Sequence, residues 1–79
     1  MRDGFVIFQN QKPRDNEEIC SSIAHYCIEH EFEFEFKRKK GTVLLEKEGE
    51  FYEVELKQLR ERQRPACWMI GCWQKTAVS

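Results

Sequence analysis

With 79 residues, 41% hydrophobic and 34% charged, the chain has the make-up of one small globular domain with a well-solvated surface. That composition excludes a disordered chain, and no apolar run approaches the roughly 20 residues that a bilayer-spanning helix needs. The formal net charge of −1 conceals an asymmetry. Residues 17 to 55 carry eleven glutamates against five cations, whereas residues 56 to 79 carry five cations against Glu61.

The N-terminal apolar run Phe5-Val6-Ile7-Phe8, behind Gly4, predicts a first, buried strand. It is too short for a signal peptide and Asp3 flanks it, so the expected location is cytoplasmic, with the four cysteines reduced. Gln9 to Arg14 is polar and contains Pro13, which marks a connection. Asp15 then suits a helix N-cap, with Glu18 three residues on and acids in the first turn. Ile19, Cys20, Ile23, Ala24, Tyr26 and Cys27 form the apolar stripe of a helix that runs to about His30.

Glu31-Phe32-Glu33-Phe34-Glu35-Phe36 alternates with the period of a strand, sending three rings to one face and three carboxylates to the other. Lys39-Lys40-Gly41-Thr42 reads as a hairpin turn and Thr42 to Lys47 as the return strand. Glu48-Gly49-Glu50 makes a second turn. From Phe51 to Leu56 the alternation resumes, with Tyr52, Val54 and Leu56 on one face and Phe51, Glu53 and Glu55 on the other. Lys57 to Arg64 is rich in helix formers with a thin apolar stripe, and Pro65 ends it. Ala66 to Trp73 is a closing strand or a short helix, and residues 75–79 are expected to fray.

The expected fold is therefore α+β in two layers. One main helix lies on a three- to four-stranded antiparallel sheet, in the order β-α-β-β-β followed by a short helix or strand. Residues 1–79 form one domain.

The residues capable of chemistry are few. Cys20 and Cys27 stand about 10 Å apart along a helix, too far to share one metal ion. Cys27 or His30 with Cys67 and Cys72 would make a zinc site at a spacing that matches no common motif, and a Cys67–Cys72 disulfide is the oxidised counterpart. A thiol nucleophile, Cys27 with His25 or His30 or Cys20 with His25, lacks an oxyanion hole or a phosphate loop. No catalytic residue, metal or cofactor is assigned, and a non-enzymatic binding module is expected.

Two surfaces could do the binding. The first is the acidic sheet face, where spaced carboxylates could imitate a phosphate array and engage a basic protein. Its contact residues would be Glu33, Glu35, Phe51, Glu53 and Glu55, or the segment with Trp68, Met69 and Trp73, whose tryptophans suit either hot spot or core. The result would be a small regulator or inhibitor docked on a protein partner. The second surface is basic: Lys37, Arg38, Lys39 and Lys40 at a hairpin tip, with Arg60, Arg62 and Arg64 near Pro65, would track phosphates of a nucleic acid. An exposed strand edge or the tryptophan segment also allows a homodimer.

Overall fold

The structure, a computed structural model, describes residues 4–61 and 64–75; of residues 61 and 64–66 only the backbone is described. Six elements follow in the order β1 (Gly4–Gln9), α1 (Asn16–Glu29), β2 (Phe34–Arg38), β3 (Leu44–Lys47), β4 (Glu50–Glu61) and β5 (Arg64–Gln74). All five strands join one antiparallel sheet in the spatial order β1-β5-β4-β3-β2, with the helix on one face. The α+β class and the helix-on-sheet layering are as expected. The strand count is five rather than three or four.

The extra strand is gained at the C-terminal half. Of the segment Lys57 to Arg64, expected to be helix-forming, Lys57 to Glu61 instead continues β4 and Arg64 opens β5, residues 62 and 63 lying outside the described residues, and Ala66 to Trp73 is strand. Helix propensity is worth only tenths of a kcal/mol per residue, whereas β4 and β5 pair over most of their length, from Tyr52↔Gln74 to Leu59↔Cys67. β1 then docks on β5 and closes the sheet on that side.

Local signals placed the helix correctly. The Asp15 carboxylate accepts the Glu18 backbone N–H at 3.0 Å. Glu18 does not reach back to Asp15, as a capping box would have it. It accepts the Arg14 backbone N–H at 2.6 Å and Arg14 Nε at 2.9 Å. Those bonds, the backbone one first, hold the Glu18 carboxyl below its usual range.

The C-terminus of the helix explains why the glutamate–phenylalanine run begins later than its alternation implies. Glu31 has φ +58°, its N–H donates to Ile28 O at 3.1 Å, and Phe32 N–H donates to Cys27 O at 2.8 Å. This is a Schellman motif with a glutamate where glycine is preferred. Phe32 packs towards Tyr26 from this turn, and β2 starts only at Phe34. The three rings still face the helix, as expected.

Between the layers lie Ile19, Cys20, Ile23, Cys27, Val43, Leu45, Tyr52, Val54, Ile70 and Cys72, all buried. Phe5 stacks on Tyr26 with ring centroids 4.7 Å apart, which ties β1 to the helix. Lys47, at the end of β3, sits 4.2 Å from the Phe32 ring centroid and 5.3 Å from that of Tyr52, closing the lower end of the core with its stem and charge. The Glu48-Gly49 link has φ +50° and +80°, the two-residue I′ turn that matches strand twist. At the other hairpin Gly41 has φ +66°, and the Asn16 side-chain amide donates to Lys39 O and Gly41 O, tying this turn to the start of α1.

Among the described residues no helix is long and apolar enough to cross a membrane. Of the tail expected to fray, Lys75 donates its backbone N–H to Phe51 O at 2.7 Å, and residues 76–79 lie outside the described residues.

Candidate functional site

One helix covers one face of the sheet. The other face carries no second layer among the described residues, and strand alternation decides what stands on it. Cross-strand rows on this open face read Glu35–Glu46–Phe51, then Leu44–Glu53–Trp73–Gly4, then Glu55–Gly71–Val6, then Lys57–Met69–Phe8. Of the expected protein-binding residues, Glu35, Phe51, Glu53, Glu55, Met69 and Trp73 thus share one surface. Glu33 precedes β2 at its margin, where a shallow hollow is lined by Glu33, Phe34, Glu35, Glu46, Glu48 and Gly49.

Trp68 does not belong with them. It lies five residues before Trp73 on a strand, so the two indoles leave opposite faces. Trp68 is half-buried on the helix side, in a row with Gln58 and Gln9, and Lys12 Nζ lies 5.4 Å from its ring centroid. The expected pairing of Trp68 with Met69 and Trp73 in one patch is corrected on that ground.

Trp73 is held flat on the open face. A Cβ on Gly71 would stand 2.8 Å from its indole Nε1, while one on Gly4 would collide first with the Cys72 backbone carbonyl oxygen and stand 3.0 Å from the indole Cε3. Gly71 therefore clears the floor beneath the ring, with Gly4 at its margin. The indole N–H donates to Glu55 Oε1 at 2.9 Å, which fixes its orientation. Glu35 and Glu46 face each other across β2 and β3, a pairing of like charges that costs free energy unless bridged. Lys37 Nζ bridges them at 2.9 and 3.3 Å, and those hydrogen bonds push the lysine pKa up.

Sequence reasoning missed the part of this surface that β1 and β3 supply: Val6, Phe8, Leu44 and Glu46. The apolar run Phe5 to Phe8 predicts a buried strand. Phe5 and Ile7 do face the helix, but Phe8 is 59% exposed and Val6 half-buried on the open side. The alternation was present in the run, but all four residues are apolar, so no polarity marked the outer face. The surface is therefore less acidic than expected, an apolar band of Phe8, Val6, Met69, Trp73 and Phe51 between carboxylates.

The basic residues disperse. Lys37 is engaged on the open face, and Arg38 Nε donates to Thr42 O at 2.9 Å. Lys39 leans over the Phe36 ring on the helix side, while Lys40 is exposed. Arg60 is exposed near the end of β4; Arg62 lies outside the described residues, and the Arg64 side chain is likewise undescribed. The clusters share one end of the molecule but form no single cradle among the described side chains.

The cysteine and histidine combinations do not converge either. Cys67 and Cys72, five apart on β5, occupy opposite faces, which rules out both their disulfide and a shared metal. Cys20 and Cys27 point into the core, whereas His25 pairs with Glu29 on the exposed side of the helix at 2.8 Å and His30 lies tilted against Tyr26 and stacked on Phe32. Burial raises the pKa of Cys20 and Cys27 and pushes the Cys72 thiol up to about 12. None of these thiols is prepared as a nucleophile.

No family model, curated protein or solved structure matches the chain.

Proposed function

We propose that this protein is a non-enzymatic binding module whose open sheet face docks onto a cationic partner protein, in the manner of a small regulator or inhibitor. The observation that carries the reading is Phe51, 42% exposed in a row with Glu35 and Glu46 and two residues along β4 from Glu53. An apolar ring there gains nothing in the isolated chain, and it has the make-up of an interface centre: an aromatic anchor inside a charged rim. Trp73, preset by its glycine floor and by Glu55, loses little freedom when covered. Glu35, Glu46, Glu53 and Glu55 supply a potential that lysine and arginine side chains would complement, and that would speed encounter.

The test is a chemical cross-linking map of a complex captured from the native source, repeated with Phe51→Ser and with Glu53→Lys/Glu55→Lys. Cross-links confined to the open face, and capture reduced at least about tenfold by each variant at unchanged fold, are expected. Retention of generic duplex DNA or RNA, falling steeply with salt and lost when Lys37, Arg38, Lys39, Lys40, Arg60, Arg62 and Arg64 become alanine, would replace this reading with nucleic-acid binding.

A further inference from the structure

The two edges of the sheet are built differently. At one edge, β2 is five residues long, carries Glu35, Lys37 and Arg38, and breaks register between Phe36 and Arg38. Charges and a bulge are the devices that keep an edge strand from pairing with another chain. At the other edge, β1 pairs with β5 without interruption from Gly4↔Trp73 to Gln9↔Trp68. Its six residues include no charge and no proline, and among the described residues nothing pairs with its outer side. Next to that bare edge stands Phe8, 59% exposed.

We infer that β1 pairs antiparallel with β1 of a second copy of this chain, about a two-fold axis perpendicular to the sheet, to form a continuous ten-stranded sheet. Centred on Val6, the register sets Phe5 opposite the partner copy's Ile7, and Phe8 opposite its Gly4. Like faces stay together, because the paired positions have the same parity. The Phe8 ring then lies over a glycine and beside the Trp73 indole, a cross-strand aromatic–glycine pairing that covers what each copy leaves bare.

The charge layout selects this partner and this direction. One end of the molecule, at the start of α1, holds Lys12, Arg14, Arg38, Lys39, Lys40, Lys57 and Arg60 against Asp15, Glu17 and Glu18. The opposite end, at the close of α1 and the β3–β4 turn, holds Glu29, Glu31, Glu33, Glu48 and Glu50 against Lys47 and Lys75. The dipole of α1 points the same way. A two-fold axis normal to the sheet lays the basic end of each copy beside the acidic end of the other. A parallel arrangement would set like ends together. The dimer shares Phe8 and Trp73 with the apolar band of the open face but leaves Phe51, Glu35, Glu46 and Glu53 uncovered on both copies, so substitution at Phe51 separates it from the proposed docking.

Sedimentation equilibrium over about 5–500 µM is expected to give twice the 9.5 kDa chain mass at the upper end, with a micromolar dissociation constant suited to a small interface. Amides of Gly4–Gln9 should gain hydrogen-exchange protection as concentration rises, and added salt should weaken the dimer. Phe8→Glu should weaken it about tenfold or more at unchanged fold. Phe51→Glu, and Ile28→Glu on the outer side of the helix, should leave it intact. The inference is overturned by a 9.5 kDa species throughout, by concentration-independent exchange in β1, or by a dimer lost on Phe51→Glu or Ile28→Glu. Protection of β1 only when a peptide of another protein is present would overturn it equally.

Discussion

Glu31 and Glu48 both hold a left-handed backbone, φ +58° and +50°, at positions where a side chain is tolerated rather than favoured. The first is the residue after the helix cap, the second the leading residue of a type I′ turn. Neither side chain takes part in a hydrogen bond or ion pair among the described residues. Glu31→Gly and Glu48→Asn should therefore each stabilise the fold by about 0.5–1 kcal/mol, read as a rise in the denaturation midpoint. Elsewhere glycine is required by contact rather than by torsion. Gly71 makes room for the Trp73 indole, whereas at Gly4 a side chain would run first into the backbone carbonyl of Cys72 on the neighbouring strand.

At the scale of elements, α1 is the only cover that the apolar face of the sheet has among the described residues. Its grip runs through Ile23, fully buried in a core that it shares with Leu45 of β3, Tyr52 and Val54 of β4, and Ile70 and Cys72 of β5. Ile23→Ala should cost about 2–5 kcal/mol, measured by urea denaturation. In a 79-residue chain with a total stability of about 4–12 kcal/mol, that loss is a large share of the whole. β4 and β5 show the opposite balance. Lys57 to Arg60 has the composition of a helix, but it faces a strand partner across nearly every residue, and pairing overrides a weak local preference. This hairpin outruns both β3 and β1, which gives the molecule its long axis of 42 Å against 26 and 25 Å.

For the whole molecule, two layers make one dry compartment and one wet face, and the cysteines divide between them. Cys20, Cys27 and Cys72 lie inside, while Cys67 projects from the open face of the projecting hairpin. In native protein a thiol reagent should react quickly with Cys67 alone, the other three becoming reactive only on unfolding, and Cys67→Ser should remove the fast phase. Burial lifts the Cys72 pKa from 9.0 to about 12, so the folded state keeps a proton that the unfolded chain gives up. The contribution to stability is thus complete below pH 9 and is lost as pH climbs towards 12. Alkaline denaturation should accordingly set in earlier for the wild type than for Cys72→Ala compared at equal starting stability.

Local patterns determined a good deal by themselves. The Asp15 cap, the apolar stripe of α1, both glycine turns and the inward direction of Phe32, Phe34 and Phe36 follow from side-chain spacing and turn chemistry, which act between near neighbours. So does the shared outward face of Phe51, Glu53 and Glu55. The tertiary structure alone decided that Phe8 and Val6 join that face, that Trp68 and Trp73 part company, and that Lys57 to Glu61 is strand. Each of those depends on which distant strand lies alongside: an apolar run carries no label for its wet side, and a helix-forming composition yields when a partner strand satisfies its backbone.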